Sequence, residues 1–211
     1  MLKVATHSDP MHYWDGGNYE LNLSFDGLRD QMWLDVLRAI WSAPCMRGPL
    51  PSRYTPGETP PTSINIQVPP PTAIVKQHGI FTVNGQSVGC DVQATRSIFE
   101  CVSILIPIGM FHGLSAQRNF RIAHPDLETL DQLFYEIVLR VNNVAPFQIA
   151  ALGYERSCQL LSELRSEGEA RHNFLVMGHF VARGDVLREL EPDLGGYEEV
   201  APNLYWVRAR I

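Results

Sequence analysis

Apolar and polar residues alternate one by one along Tyr19-Glu20-Leu21-Asn22-Leu23-Ser24-Phe25. In an extended chain, successive side chains point to opposite faces, so this period of two predicts a half-buried strand. From Leu28 to Ala43 the period lengthens. Trp33, Val36, Leu37, Ile40 and Trp41 fall on one helical stripe, which predicts a helix packed on the sheet. Asp26 is placed to cap that helix and Pro44 to end it. Ile64 to Val68 alternates again and is expected as a strand, stopped by Pro69-Pro70-Pro71. Two further runs, Gly79 to Val83 and Gln86 to Ala94, flank Asn84-Gly85. That dipeptide tolerates positive φ at both positions, so the pattern predicts a hairpin.

The longest near-continuous apolar run is Cys101 to Phe111, CVSILIPIGMF. It predicts a strand buried on both faces at the centre of the sheet, antiparallel to the second hairpin arm, with Pro107 near its end. An irregular connection is expected over residues 112–123. A helix is then predicted from Pro125 to Asn143, with Leu127, Leu130, Phe134, Ile137, Val138 and Val141 on one apolar face. A short strand, Phe147 to Leu152, precedes a helix carrying Cys158, Leu161 and Leu164. Phe174 to Val181 is expected as a buried strand, with His179 as a core histidine. Asp185 is expected to cap a short helix ending at Pro192, and Leu204 to Ile211 to be the last strand.

These elements sum to an α+β fold: a mostly antiparallel sheet with two long amphipathic helices packed on one face. Residues 1–17 are expected as a polar N-terminal arm and 18–211 as a single domain. The one sub-boundary weighed lies near 112–124.

Composition narrows the classes of function. Of 211 residues, 45% are hydrophobic and 19% charged, which is globular rather than disordered. The longest apolar run is far short of a membrane span of roughly 20 residues. The N-terminus lacks the apolar core of a secretory signal. The expectation is a cytoplasmic, soluble protein without a membrane role. The net charge is −6 with no basic cluster, which argues against binding nucleic acid. The cysteines Cys45, Cys90, Cys101 and Cys158 show no paired spacing, and no disulfide framework is expected. P-loop, GxGxxG, GxSxG and HExxH motifs are absent from the sequence, and no cofactor is expected.

Candidate chemistry is therefore sparse. His7, Asp9 and His12, with Asp15, are ligand types for a divalent metal, though a terminal arm lacks the supporting shell a metal site needs. His124 with Asp126 and Glu128 could serve acid–base chemistry, but carboxylates at a helix start have a simpler role. Gly153-Tyr154-Glu155-Arg156 lies where a strand hands over to a helix, a common ligand position. A thiolate pairing Cys90 or Cys101 with His112 is disfavoured, because burial raises a thiol pKa. Residues 44–61 hold six prolines together with Arg47, Arg53 and Tyr54, residue types enriched at interfaces.

Two readings follow. One is a non-enzymatic protein-binding module of the adaptor or antidote kind, using Arg47, Arg53, Tyr54 and Tyr154. The other is a small hydrolase or transferase acting on an anionic small molecule, using Glu155 and Arg156 with His112 or His124. A broad exposed apolar patch near 44–61 would favour the first, and a deep pocket joining the second set would favour the enzyme.

Overall fold

The computed structural model describes residues 13–111, 125–154, 161–177 and 179–207. Among them, nine strands form one sheet in the order β2-β3-β4-β5-β1-β6-β7-β9-β8. Every neighbouring pair is antiparallel. The fold is α+β. The strands are β1 (Asn18–Phe25), β2 (Met46–Leu50), β3 (Ala73–Val83), β4 (Gln86–Arg96), β5 (Glu100–Pro107), β6 (Ile149–Tyr154), β7 (Phe180–Arg183), β8 (Glu198–Ala201) and β9 (Leu204–Val207). The helices are α1 (Asp30–Trp41), α2 (Pro125–Asn142), α3 (Leu161–Ser166), α4 (Gly168–Met177) and α5 (Gly184–Leu190).

The apolar run at Cys101 becomes β5, held between β4 and β1. It ends at Pro107, and a single 3-10 turn, Ile108–Met110, follows. The Asn84-Gly85 turn forms with both φ values positive, 51° and 73°, and fixes the longest ladder in the sheet. On β1, Tyr19, Leu21, Leu23 and Phe25 enter the main core. Phe25 meets Trp33 of α1, and Tyr19 stacks on Phe134 of α2. The ring of Trp41 lies against the backbone of Gly48 and Gly79, where a Cβ would come within 2.6 and 2.4 Å of it. The two glycines let the tail of α1 approach β2 and β3.

A second apolar cluster covers the other end of the sheet. There Ile149, Phe180, Ala182 and Val207 pack against α3 and α5. Phe174 of α4 stacks on Phe180.

Several elements differ from the pattern-based expectations. Ile64 to Val68 is not a strand. The Gln77 side chain takes both backbone groups of Gln67, accepting from its N–H at 3.0 Å and donating to its C=O at 3.1 Å. One amide side chain thus does what a strand neighbour would do, and the backbone is satisfied without a ladder. Part of the proline-rich stretch is the edge strand β2, with Pro49 inside it, a place where a missing N–H costs little. Asp26 does not cap α1. Arg29 occupies the N-cap without a side-chain bond, and Glu100 accepts the Leu28 N–H at 2.6 Å. Phe174 to Met177 is the end of α4, so only Phe180 onward is strand. Asp185 sits inside the first turn of α5, after the Arg183 N-cap. Cys101 is disulfide-bonded, whereas Cys45 and Cys90 are free. β8 was not legible, since Glu198-Glu199-Val200-Ala201 alternates in no clear way.

Candidate functional site: a cation cluster on one buried carboxylate

β4 alternates cleanly. Val88, Cys90, Val92 and Ala94 enter the main core, which leaves Gly89, Asp91, Gln93 and Thr95 for the opposite face. Counting outward from the Asn84-Gly85 turn puts His78 of β3 directly opposite Asp91. The pair is made: His78 Nδ1 lies 2.7 Å from Asp91 Oδ1. A carboxylate at that distance makes Nδ1 the donor and leaves Nε2 turned away from it.

Two more cations reach the same carboxylate. Lys76, on the same face of β3 as His78, places Nζ 2.7 Å from Asp91 Oδ2. Arg53, from the turn after β2, brings Nη2 to 3.5 Å from the same oxygen. The Arg53 guanidinium also lies over the Trp14 ring, 4.3 Å from its centroid. The stack limits the motion of a long side chain and adds a cation–π attraction. Trp14 in turn is seated on Gly89, where a Cβ would come within 2.5 Å of the indole. A bare backbone position on β4 therefore places the tryptophan that steadies the arginine.

The burial is graded. The Asp91 side chain is 4% exposed, whereas those of Lys76 and Arg53 are 40% and 49% exposed. His78 is in between. The carboxylate is the floor and the cations are the rim. One negative charge faces two permanent positive charges and an imidazole, so the cluster carries surplus positive charge on a chain whose net charge is −6. Beside it on the same face, Ser103 donates to Asn22 Oδ1, and Asn22 Nδ2 donates to Glu20 at 3.0 Å. These residues line up across β1 and β5 as a polar strip.

A second charged group lies on the core side. Asp131 of α2 accepts from the Tyr19 hydroxyl at 2.5 Å. His179 Nε2 is 2.9 Å from the other Asp131 oxygen but makes no hydrogen bond there. Trp206 meets the His179 ring edge-on at 6.2 Å, and Tyr135 stacks on Trp206 at 4.6 Å. This group ties α2 to β1 and to the start of β7.

The residues singled out from sequence fare unequally. Arg53 belongs to the cluster. Tyr54 is buried with Leu50 and Ile80 and serves packing. Arg47 is exposed on β2 and its register partner is Ile80. Tyr154 pairs in register with Tyr19 and packs against the main core, so it is on the opposite face from Asp91. His7, Asp9, His12, His112, His124, Glu155 and Arg156 lie outside the described residues, as does Cys158. Among the described residues, no group of three metal-ligating side chains converges, and no helix is long and apolar enough to cross a membrane. The apolar patch sought near 44–61 does not form. Among the described residues, the exposed large apolar side chains are Ile64, Ile74, Ile98 and Val144.

The thiols are placed for packing rather than reaction. Burial pushes Cys45 up to about 11. Cys90 is raised well above an ordinary thiol by burial and then by the Asp91 charge next to it.

No protein-family model, curated protein or solved structure matches this chain.

Proposed function

We propose that this chain is a non-enzymatic binding protein that meets a protein partner at the Arg53–Lys76–His78 rim. The observation that carries the reading is the convergence of these three side chains on the buried Asp91 carboxylate, with Arg53 stacked on Trp14. Arginine and tryptophan are the residue types that dominate interface energies, and holding them in place before contact lowers the entropy lost on binding. The attraction is electrostatic in origin, in place of the apolar patch near 44–61 that would have favoured this reading.

The remaining expectations complete the proposal. The chain is a single domain over residues 18–211, supported by one main core that reaches Trp206; Tyr13, from the segment expected as an arm, joins that core. The two long helices α1 and α2 form one layer, consistent with their shared contacts to β1 residues of one face. A cytoplasmic setting remains part of the reading. The disulfide at Cys101 weighs against it, because such bonds persist mainly in oxidising compartments.

A second reading rests on one observation. An imidazole oriented by a carboxylate, with its other nitrogen turned away and two cations beside it, is also the equipment of a small enzyme acting on an anionic molecule. His78 and Asp91 would then be its acid–base pair.

Native mass spectrometry of the chain purified gently from its own host separates the readings. The binding reading expects a bound mass of protein size on the wild type, lost from an Arg53→Gln/Lys76→Gln variant. A small bound mass would move the weight to the enzyme. A protein-sized mass kept by the variant would place the interface elsewhere.

A further inference from the structure

We infer that the Asp91 cluster is a binding site for a single oxyanion, a carboxylate or a phosphate group. The inference rests on the binding reading above and names the chemistry its partner would present. Arg53, Lys76 and His78 share one acidic partner among the described residues, and it is the same one. Two permanent cations and an imidazole cannot all be neutralised by a single carboxylate. The surplus is held within reach of one point, since all three groups lie within 3.5 Å of the Asp91 oxygens.

Asp91 sets the geometry. Its side chain is almost fully buried between β3 and β5, so the rim is anchored on rigid strands rather than on a loop. The carboxylate draws Lys76 and His78 into place across the β3–β4 ladder. Arg53 is the outermost of the three and makes the longest contact, 3.5 Å. Its fork of N–H donors exceeds what that contact uses, and a planar fork suits a carboxylate or a phosphate in two-point contact. Lys76 adds a compact charge with three donors. An incoming oxyanion would sit above Asp91, bridging Arg53 and Lys76. Its charge completes the neutralisation that Asp91 begins.

The sequence has only two lysines, Lys3 and Lys76, among 17 basic residues. The one within the described residues stands at Asp91.

The test is a calorimetric titration of the full chain at low ionic strength with two probes, inorganic phosphate and a short glutamate-rich peptide. The expected result is saturable binding of at least one probe, weakened about tenfold or more in Arg53→Gln/Lys76→Gln and weakened again by added salt. Circular dichroism checks that the variant is folded, and an Arg188→Gln variant on the exposed side of α5 should bind as the wild type does. Phosphate alone would identify a phosphoryl ligand, and the peptide alone an acidic segment. Absence of saturable binding to either probe, or equal binding by the double variant, would overturn the inference. The partner experiment fails separately. A protein-sized mass that ignores the double variant overturns the rim as the partner interface. Phosphate binding lost in the double variant, with no protein partner, keeps the oxyanion site and overturns the partner reading.

Discussion

Asp91 shows how much a single position can decide. It interrupts nothing in the core, because its neighbours Cys90 and Val92 point the other way, yet it gathers three basic side chains on the far face. A comparable economy holds at Gly79, where the Trp41 ring leaves no room for a Cβ. Gly79→Ala should lower unfolding stability by about 1–3 kcal/mol, the usual cost of overpacking, read as a lower denaturant midpoint at unchanged slope. A midpoint equal to wild type would mean that the close approach of α1 to β3 is not as drawn. The cysteines give a chemical readout. Cys45 and Cys90, buried and with raised pKa values, should resist alkylation in the native chain and react once it is unfolded. Cys101 should stay unlabelled until a reductant is added. Rapid native labelling of Cys90 would contradict its burial.

Asp185 makes a prediction in pH. Burial alone would raise its carboxyl. Hydrogen bonds from Arg183 and the Arg183 charge outweigh this, helped by the backbone amides of Asp185 and Val186, and hold it below 3.8. A depressed folded value means that the unfolded chain takes up the proton more readily. The stabilisation is therefore present above pH 3.8 and is lost as pH falls through the folded value. Wild type should be more stable than Asp185→Asn at pH 7, and the gap should close below pH 3.8, measured by urea midpoints. An equal gap at both pH values would contradict the assignment.

Among the elements, β3 and β4 show what sequence makes legible. The Asn84-Gly85 turn fixes the register of both arms, so His78 opposite Asp91 could have been found by counting outward from it. Charged and imidazole side chains at facing positions of a hairpin were the available signal. Arg53 joining them was not legible as a contact, because it arrives from an irregular turn whose path depends on Trp14 and Gly89. The misread segments have a shared cause. In Ile64 to Val68 and Phe174 to Met177 an apolar pattern is short enough to suit strand, helix or covering chain, and tertiary contacts chose. Long, strongly periodic elements such as α2 were read correctly. Phe134 is its anchor, stacked on Tyr19 and edge-on to Phe81 at 5.6 Å. Phe134→Ala should cost about 3–5 kcal/mol. A loss under about 1 kcal/mol would mean α2 is not seated on the sheet through that ring.

For the whole molecule, α+β class and antiparallel sheet followed from periodicity, whereas the order of nine strands did not. β1 lies between β5 and β6, a placement decided by long-range pairing that leaves no local trace. Charge was legible only as a sum. A net −6 conceals a compact positive rim, because position on the sheet, not composition, sets the local field. We propose that this rim is where the chain meets its partner. Hydrogen exchange of the wild-type chain, alone and with any protein that co-purifies with it, tests the proposed interface most directly. Protection of peptides covering Ser52–Tyr54, Lys76–His78 and Gly89–Asp91 is the predicted result. Protection confined to the β7–β9–β8 end, with those peptides unchanged, would contradict it.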